Sequence, residues 1–163
     1  MNIDISKEEY RSLLDVLQMA EWVMHAHEEE KDPLTEPYDK VIQKFYALAK
    51  DMGQDHMVEY DPKLQEYFLS LEFEDTSPSR EFITEFTNET FWDELIHRLA
   101  DRDIARKIGG YEQLDALSMT ERFAHEGPIL SKYAQEFDDN GLERLEIVES
   151  FGPAAAPRLA THD

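Results

Sequence analysis

The stretch SKEEYRSLLDVLQMAEWVMHAHEEEKD, residues 6–32, decides the fold class. Ser6 and Glu9 stand at capping-box spacing, at which the serine hydroxyl and the glutamate carboxylate satisfy backbone N–H groups of a first helical turn. Ile5 and Tyr10 are placed to form the accompanying hydrophobic staple. With Tyr10 at zero and about 100° per residue, Leu13, Leu14, Val16, Leu17, Ala20, Val23 and Met24 fill an arc from about 220° through zero to about 40°. The spacing predicts a helix over residues 6–30, and so wide an apolar arc predicts a central helix packed on more than one side. Arg11, Asp15, Gln18 and Glu29 form its polar stripe, interrupted by Trp22.

Further along, Asp32-Pro33 marks a turn, and Thr35 with Pro37 opens a second helix. Tyr38, Val41, Ile42, Phe45, Ala49 and Met52 supply its apolar face, Lys40, Lys44 and Lys50 its outer one, and Gly53 a left-handed C-terminal cap. DHMVEY, residues 55–60, reads as extended. Asp61-Pro62 reads as the start of a helix carrying Leu64, Tyr67, Phe68 and Leu71, followed by an acidic loop, EFEDTSPS. Ser77-Pro78 opens a short helix with Phe82, Ile83 and Phe86. The next set, Trp92, Leu95, Ile96, Leu99 and Ala100, is about 120° out of phase with it, which predicts a break at Thr87 to Thr90. Ile104 and Ile108 lead to a stop at Gly109-Gly110, and Tyr111, Leu114 and Leu117 make one more turn. A second capping box, Ser118 to Glu121, starts a helix that Gly127-Pro128 separates from the last long one, striped by Ile129, Leu130, Tyr133, Ala134 and Phe137 and ending at Asn140-Gly141. For LERLEIVES, residues 142–150, periodicity leaves strand and helix open.

Composition bounds the function. The chain has 163 residues, 41% of them hydrophobic, which suits one folded domain and a substantial core. It has no cysteine, which excludes disulfides, thiolate metal sites and a cysteine nucleophile. The start, MNIDISKEEY, is acidic and lacks an apolar signal core, and no apolar run approaches the roughly 18 residues of a membrane span; a soluble cytoplasmic protein is expected. With 37 acidic and 16 basic residues the formal charge is −21. Such a field repels nucleic acid and anionic membranes and attracts basic proteins or cations. Direct nucleic-acid and membrane partners are therefore not expected. The plainer reading of the same charge is solubility alone.

Several short constellations invite a chemical reading. Glu21, His25 and Glu28 fall at about 20°, 60° and zero on the first helix, one stripe at i, i+4, i+7. Imidazole with two carboxylates is a plausible shell for zinc, iron or manganese. The structural alternative is that Glu21, inside the apolar arc, pairs with an arginine or lysine from another helix while His25 and the remaining acids stay solvated. Glu94-Leu95-Ile96-His97 has the Glu-x-x-His spacing of di-iron carboxylate bundles, but in one copy, and His97 projects about 150° from the apolar face. It enters a metal reading only as a fourth ligand beside the Glu21 stripe. Glu121 and His125 share a face, yet Glu121 is already used by its cap. EFDDNG, residues 136–141, has letters of an EF-hand loop but places Ile147 at the twelfth position, where a bidentate glutamate is needed. A helix end explains it better. Phosphate-binding glycine loops, the G-x-S-x-G elbow and His-Glu-x-x-His are absent from the sequence. The tryptophans and phenylalanines read as core.

The sequence thus points to an all-α, irregular bundle of about six to eight helices in a single domain, residues 1–151, with a Pro/Ala-rich tail, 152–163. No catalytic residues are assigned, and the balance leans away from an enzyme. The leading expectation is an acidic cytoplasmic protein acting through protein contacts, as an adaptor, an inhibitor of a basic partner or a self-associating homo-oligomer. The alternative is a metal protein or metal-dependent enzyme using Glu21, His25, Glu28 and His97. A third reading makes the acids at residues 28–32, 72–75 and 136–149 a mimic of nucleic acid.

Overall fold

A computed structural model of the chain describes residues 3–30 and 32–147. Among them are six α-helices: α1 (Lys7–His25), α2 (Glu36–Tyr46), α3 (Leu71–Thr76), α4 (Ser79–Ile108), α5 (Tyr111–Asp115) and α6 (Met119–Asn140). One two-stranded antiparallel sheet, β1 (Val58–Asp61) and β2 (Glu66–Leu69), interrupts the helices. The all-α class holds in its main lines. Two compact units divide the chain, Met1–Thr90 and Phe91–Asp163, with the boundary inside α4.

In the first unit α1 starts as its sequence requires. The Ser6 hydroxyl accepts from the Glu9 N–H at 3.2 Å, and the Glu9 carboxylate accepts from the Ser6 N–H at 2.8 Å. The core joins Tyr10, Leu14 and Leu17 of α1 to Ile42 and Tyr46 of α2, with Ala49, Met57, Val58 and Phe73 closing it. The buried line on α2 and the turns after it is therefore Ile42, Tyr46, Ala49 at i, i+4, i+7; Tyr38 and Val41, expected on the apolar face, are exposed. The helical path persists as turns to Gly53, whose φ of 68° lets the Gln54 N–H reach the Ala49 carbonyl at 2.8 Å.

The helix expected from Asp61 is a hairpin instead. Asp61 Oδ1 accepts from the N–H groups of Lys63 and Leu64 at 2.7 and 3.2 Å, the same service it would give a helix N-terminus. Gln65 then takes φ 58°, its N–H closing on the Asp61 carbonyl at 2.8 Å, and the chain reverses. Val58 pairs with Leu69 and Tyr60 with Tyr67, whose rings lie 4.8 Å apart across the strands. The expected acidic loop is largely α3, capped by Ser70, whose hydroxyl accepts from the Phe73 N–H and donates to the His56 carbonyl at 2.7 Å.

Two expected breaks are absent. α4 runs unbroken for 30 residues through Thr87 to Thr90. The phase conflict that predicted a break is resolved by exposure: Phe82 and Phe86 remain 53% and 62% accessible. α6 likewise runs through Gly127-Pro128, the proline lacking the N–H that would have bonded to the Ala124 carbonyl. Among the described phenylalanines only Phe73 and Phe137 are buried, so the expectation that aromatics are core holds for a minority.

In the second unit Ile104 and Ala105 of α4 pack with Leu114 of α5, joined by Ile108, Leu117 and Ile129. Gly109 and Gly110, at φ 110° and 140°, make the sharp exit from α4. Ser118 and Glu121 form the second capping box. Residues 142–147 hold no helix or strand; 148–150 and the expected tail, 152–163, lie outside the described residues.

Three substitutions test this reading. Gln65→Gly is expected to raise stability by up to about 1 kcal/mol by relieving the left-handed backbone, and Gln65→Val to lower it. Leu14→Ala, at a fully buried position, should cost about 2–5 kcal/mol in urea unfolding monitored by circular dichroism.

Candidate functional site

The Glu21, His25, Glu28 stripe does assemble. α1 ends at His25, short of the expected residue 30, so the helix presents Glu21 and His25 and the turn after it presents Glu28, towards the first turns of α2 and the start of β2, and a cleft of about 340 Å³ opens there. Its lining includes Glu21, His25, Glu28, Asp39, Ile42 and Phe68, with Glu29, Glu30 and Glu66 adding further negative charge.

Glu21 is half-buried, and among the described residues it is not paired with the arginine or lysine expected. It accepts instead from the Tyr46 hydroxyl at 3.0 Å. Tyr46 is itself only 1% exposed, so the bond ties a core phenol to a rim carboxylate. Desolvation raises the Glu21 pKa above the ordinary carboxylate value, and the Tyr46 bond and His25 offset part of this. The Tyr46 phenol is also pushed up, first by its burial and then by the Glu21 charge.

His25 does not point to open water. Nδ1 lies 2.6 Å from Glu28 Oε2 and Nε2 lies 2.9 Å from Asp39 Oδ1. Both contacts are hydrogen bonds only when both ring nitrogens carry protons, because a neutral imidazole has one donor. The bond to Glu28, supported by Asp39, accordingly raises the His25 pKa above its ordinary value, against a smaller opposing cost of burial. The bridge ties the end of α1 to the first turn of α2.

Among the described residues no group of three or more histidines and carboxylates is arranged to hold a metal ion. His97 lies in the second unit, exposed, its Nδ1 2.8 Å from the Asp93 carbonyl. Glu94 is engaged by Arg98 at 2.9 Å. The EF-hand-like letters form the end of α6, where Gly141 donates to the Phe137 carbonyl and Glu136 accepts from Asn140 and Arg144.

Sequence reasoning missed Asp39, Tyr46 and Gln43. Gln43 docks the hairpin by exchanging two hydrogen bonds with the backbone of Tyr67, at 2.9 and 2.7 Å. A usable signal was present: Asp39, Gln43 and Tyr46 repeat at i, i+4, i+7 along one edge of α2.

No known protein family, curated protein or solved structure matches the chain.

The His25 bridge carries a pH signature. Because its folded pKa is raised above 6.5, its stabilisation is fully present below about 6.5 and is lost as pH rises through the folded value. Histidine NMR titration should place His25 above the ordinary value, and Glu28→Gln and Asp39→Asn should each lower it. The stability difference between the parent chain and His25→Gln should shrink over the same rise in pH.

Proposed function

We propose that this chain is a non-catalytic acidic protein that works through protein contacts, taking a cationic side chain of a partner into the cleft between α1, α2 and β2. The observation that carries the reading is the composition of that cleft. Ile42 and Phe68 offer apolar surface to the alkyl stem of a lysine or arginine, and Glu21, Glu28 and Asp39 offer carboxylates to its charged head. Among the described lining residues only His25 can carry positive charge. The formal charge of −21 adds a long-range field that draws a basic partner towards the surface and speeds encounter.

A diffuse field and a specific cleft make different predictions. A short oligoarginine peptide should bind the full chain in isothermal titration calorimetry, more weakly at about 0.5 M NaCl than at about 0.05 M. The double substitution Glu21→Gln, Asp39→Asn should weaken binding about tenfold or more, roughly 1.4 kcal/mol. The control Glu112→Gln, Asp115→Asn removes the same charge from exposed positions on α5 and should leave affinity nearly unchanged. Equal losses from both pairs would leave the field and remove the cleft; no binding would remove the reading altogether.

A further inference from the structure

Two of the carboxylates that line the cleft are already bridged by a cationic side chain of this protein. His25, the last residue of α1, sets Nδ1 2.6 Å from Glu28 Oε2 and Nε2 2.9 Å from Asp39 Oδ1. A protonated imidazole is a planar, delocalised cation with two N–H donors, and a guanidinium brings the same kind of group on a longer stem. The bridge therefore stands where a partner's arginine would have to bind. The three side chains are each partly exposed, so a solute can reach them. Among the described residues the other charged groups lining the cleft around the imidazole are all acidic: Glu21 from α1, Glu28, Glu29 and Glu30 from the turn after it, Asp39 from α2 and Glu66 from β2. Lys40, beside Asp39 in the sequence, is exposed and engaged by Glu36 at 2.7 Å.

We propose that His25 is a built-in competitor for this site, holding Glu28 and Asp39 until it gives up a proton, so that capture of a partner's guanidinium is coupled to release of that proton. This coupling deepens the cleft reading and rests on it. Donor counting gives the chemistry. With both ring nitrogens protonated, His25 offers an N–H to each carboxylate and places a positive charge where the guanidinium must come. Once one nitrogen has passed its proton to solvent, the ring can donate to only one of the two carboxylates, and its repulsion of an incoming cation is gone. The bond to Glu28, supported by Asp39, favours the protonated ring and raises the pH at which this happens above the ordinary histidine value. The site therefore opens to a partner as pH rises through that raised value. Linkage makes the relation reciprocal: a bound guanidinium favours the neutral imidazole and lowers the His25 pKa.

Arginine stays protonated throughout the accessible range, so an oligoarginine peptide with blocked termini leaves only the protein to titrate. At constant low salt its affinity for the full chain should rise between about pH 6 and about pH 8, by no more than about tenfold per unit, the limit for one linked proton. His25→Gln cannot carry the charge and should bind at about pH 6 nearly as tightly as the parent chain does at about pH 8. His27→Gln, at an exposed position that does not line the cleft, should keep the parent's pH dependence. Glu21, held above the ordinary carboxylate value by burial, keeps its own contribution in His25→Gln, so the difference between parent and variant belongs to His25. A second readout needs no variant: saturating the parent chain with peptide should lower the His25 pKa measured by NMR. A peptide that binds equally at both pH values, or that leaves the His25 titration unmoved, overturns the coupling while the cleft reading stands. A rise in affinity that His25→Gln retains in full does the same. No binding at any pH overturns both.

Discussion

A carboxylate withdrawn from water must find a donor, and in a chain with more than twice as many acids as bases donors are scarce. The arrangement of side chains in both units follows from how this shortage is met. Asp15 shares the Arg11 guanidinium and the Ser77 hydroxyl; Glu21 takes the Tyr46 phenol; Glu28 and Asp39 divide one imidazole. In the second unit Asp103 takes the Tyr133 hydroxyl at 2.5 Å and Arg102 at 2.9 Å, and Asp101 takes Arg122 at 2.9 Å. No buried side-chain nitrogen or oxygen among the described residues lacks a partner. Neutral hydroxyls do much of what lysines and arginines do in a balanced protein.

This economy shapes the cleft. Tyr46 reaches Glu21 because Ile42 and Ala49, one turn to either side, are buried against α1, which fixes the phenol in the core with its hydroxyl at the rim. Gln43, on the same helix, holds β2 beside α2 by imitating a neighbouring strand with its amide. The acidic rim is thus supported by side chains that are themselves packed or doubly bonded, and its carboxylates are held in place despite their mutual repulsion.

Local signals were legible where the chemistry is local. Both capping boxes, the turn at Gly53 and the double-glycine exit from α4 are each decided within a few residues, and each appears where the letters place it. Asp61-Pro62 was ambiguous because its carboxylate caps a turn and a helix alike; pairing of Val58 with Leu69, eleven residues away, decides between them. Glu21 and His25 were visible as a helical face, while Glu28, expected on the same face, lies past the end of α1. Their partners Asp39 and Tyr46 were not visible, because they come from another helix and periodicity carries no information across elements. The continuity of α4 was hidden for a related reason: an aromatic residue was assumed to need burial, and Phe82 and Phe86 show that on this chain it does not.

The exposed stretch of α4 has a thermodynamic side. From Thr84 to Phe91 eight consecutive residues are exposed, more than two full turns, so this part of the helix buries little side-chain surface. Thr84, Thr87, Asn88 and Thr90 are indifferent helix formers, and the hydroxyls of Thr84 and Thr87 bond back to the carbonyls of Arg80 and Ile83 at 2.8 and 2.7 Å. Backbone bonds in this segment have only one another for support. Their breaking exposes almost no additional apolar surface, so local opening carries a small heat-capacity change and little sensitivity to denaturant, unlike loss of the cores around Leu14 or Ile104.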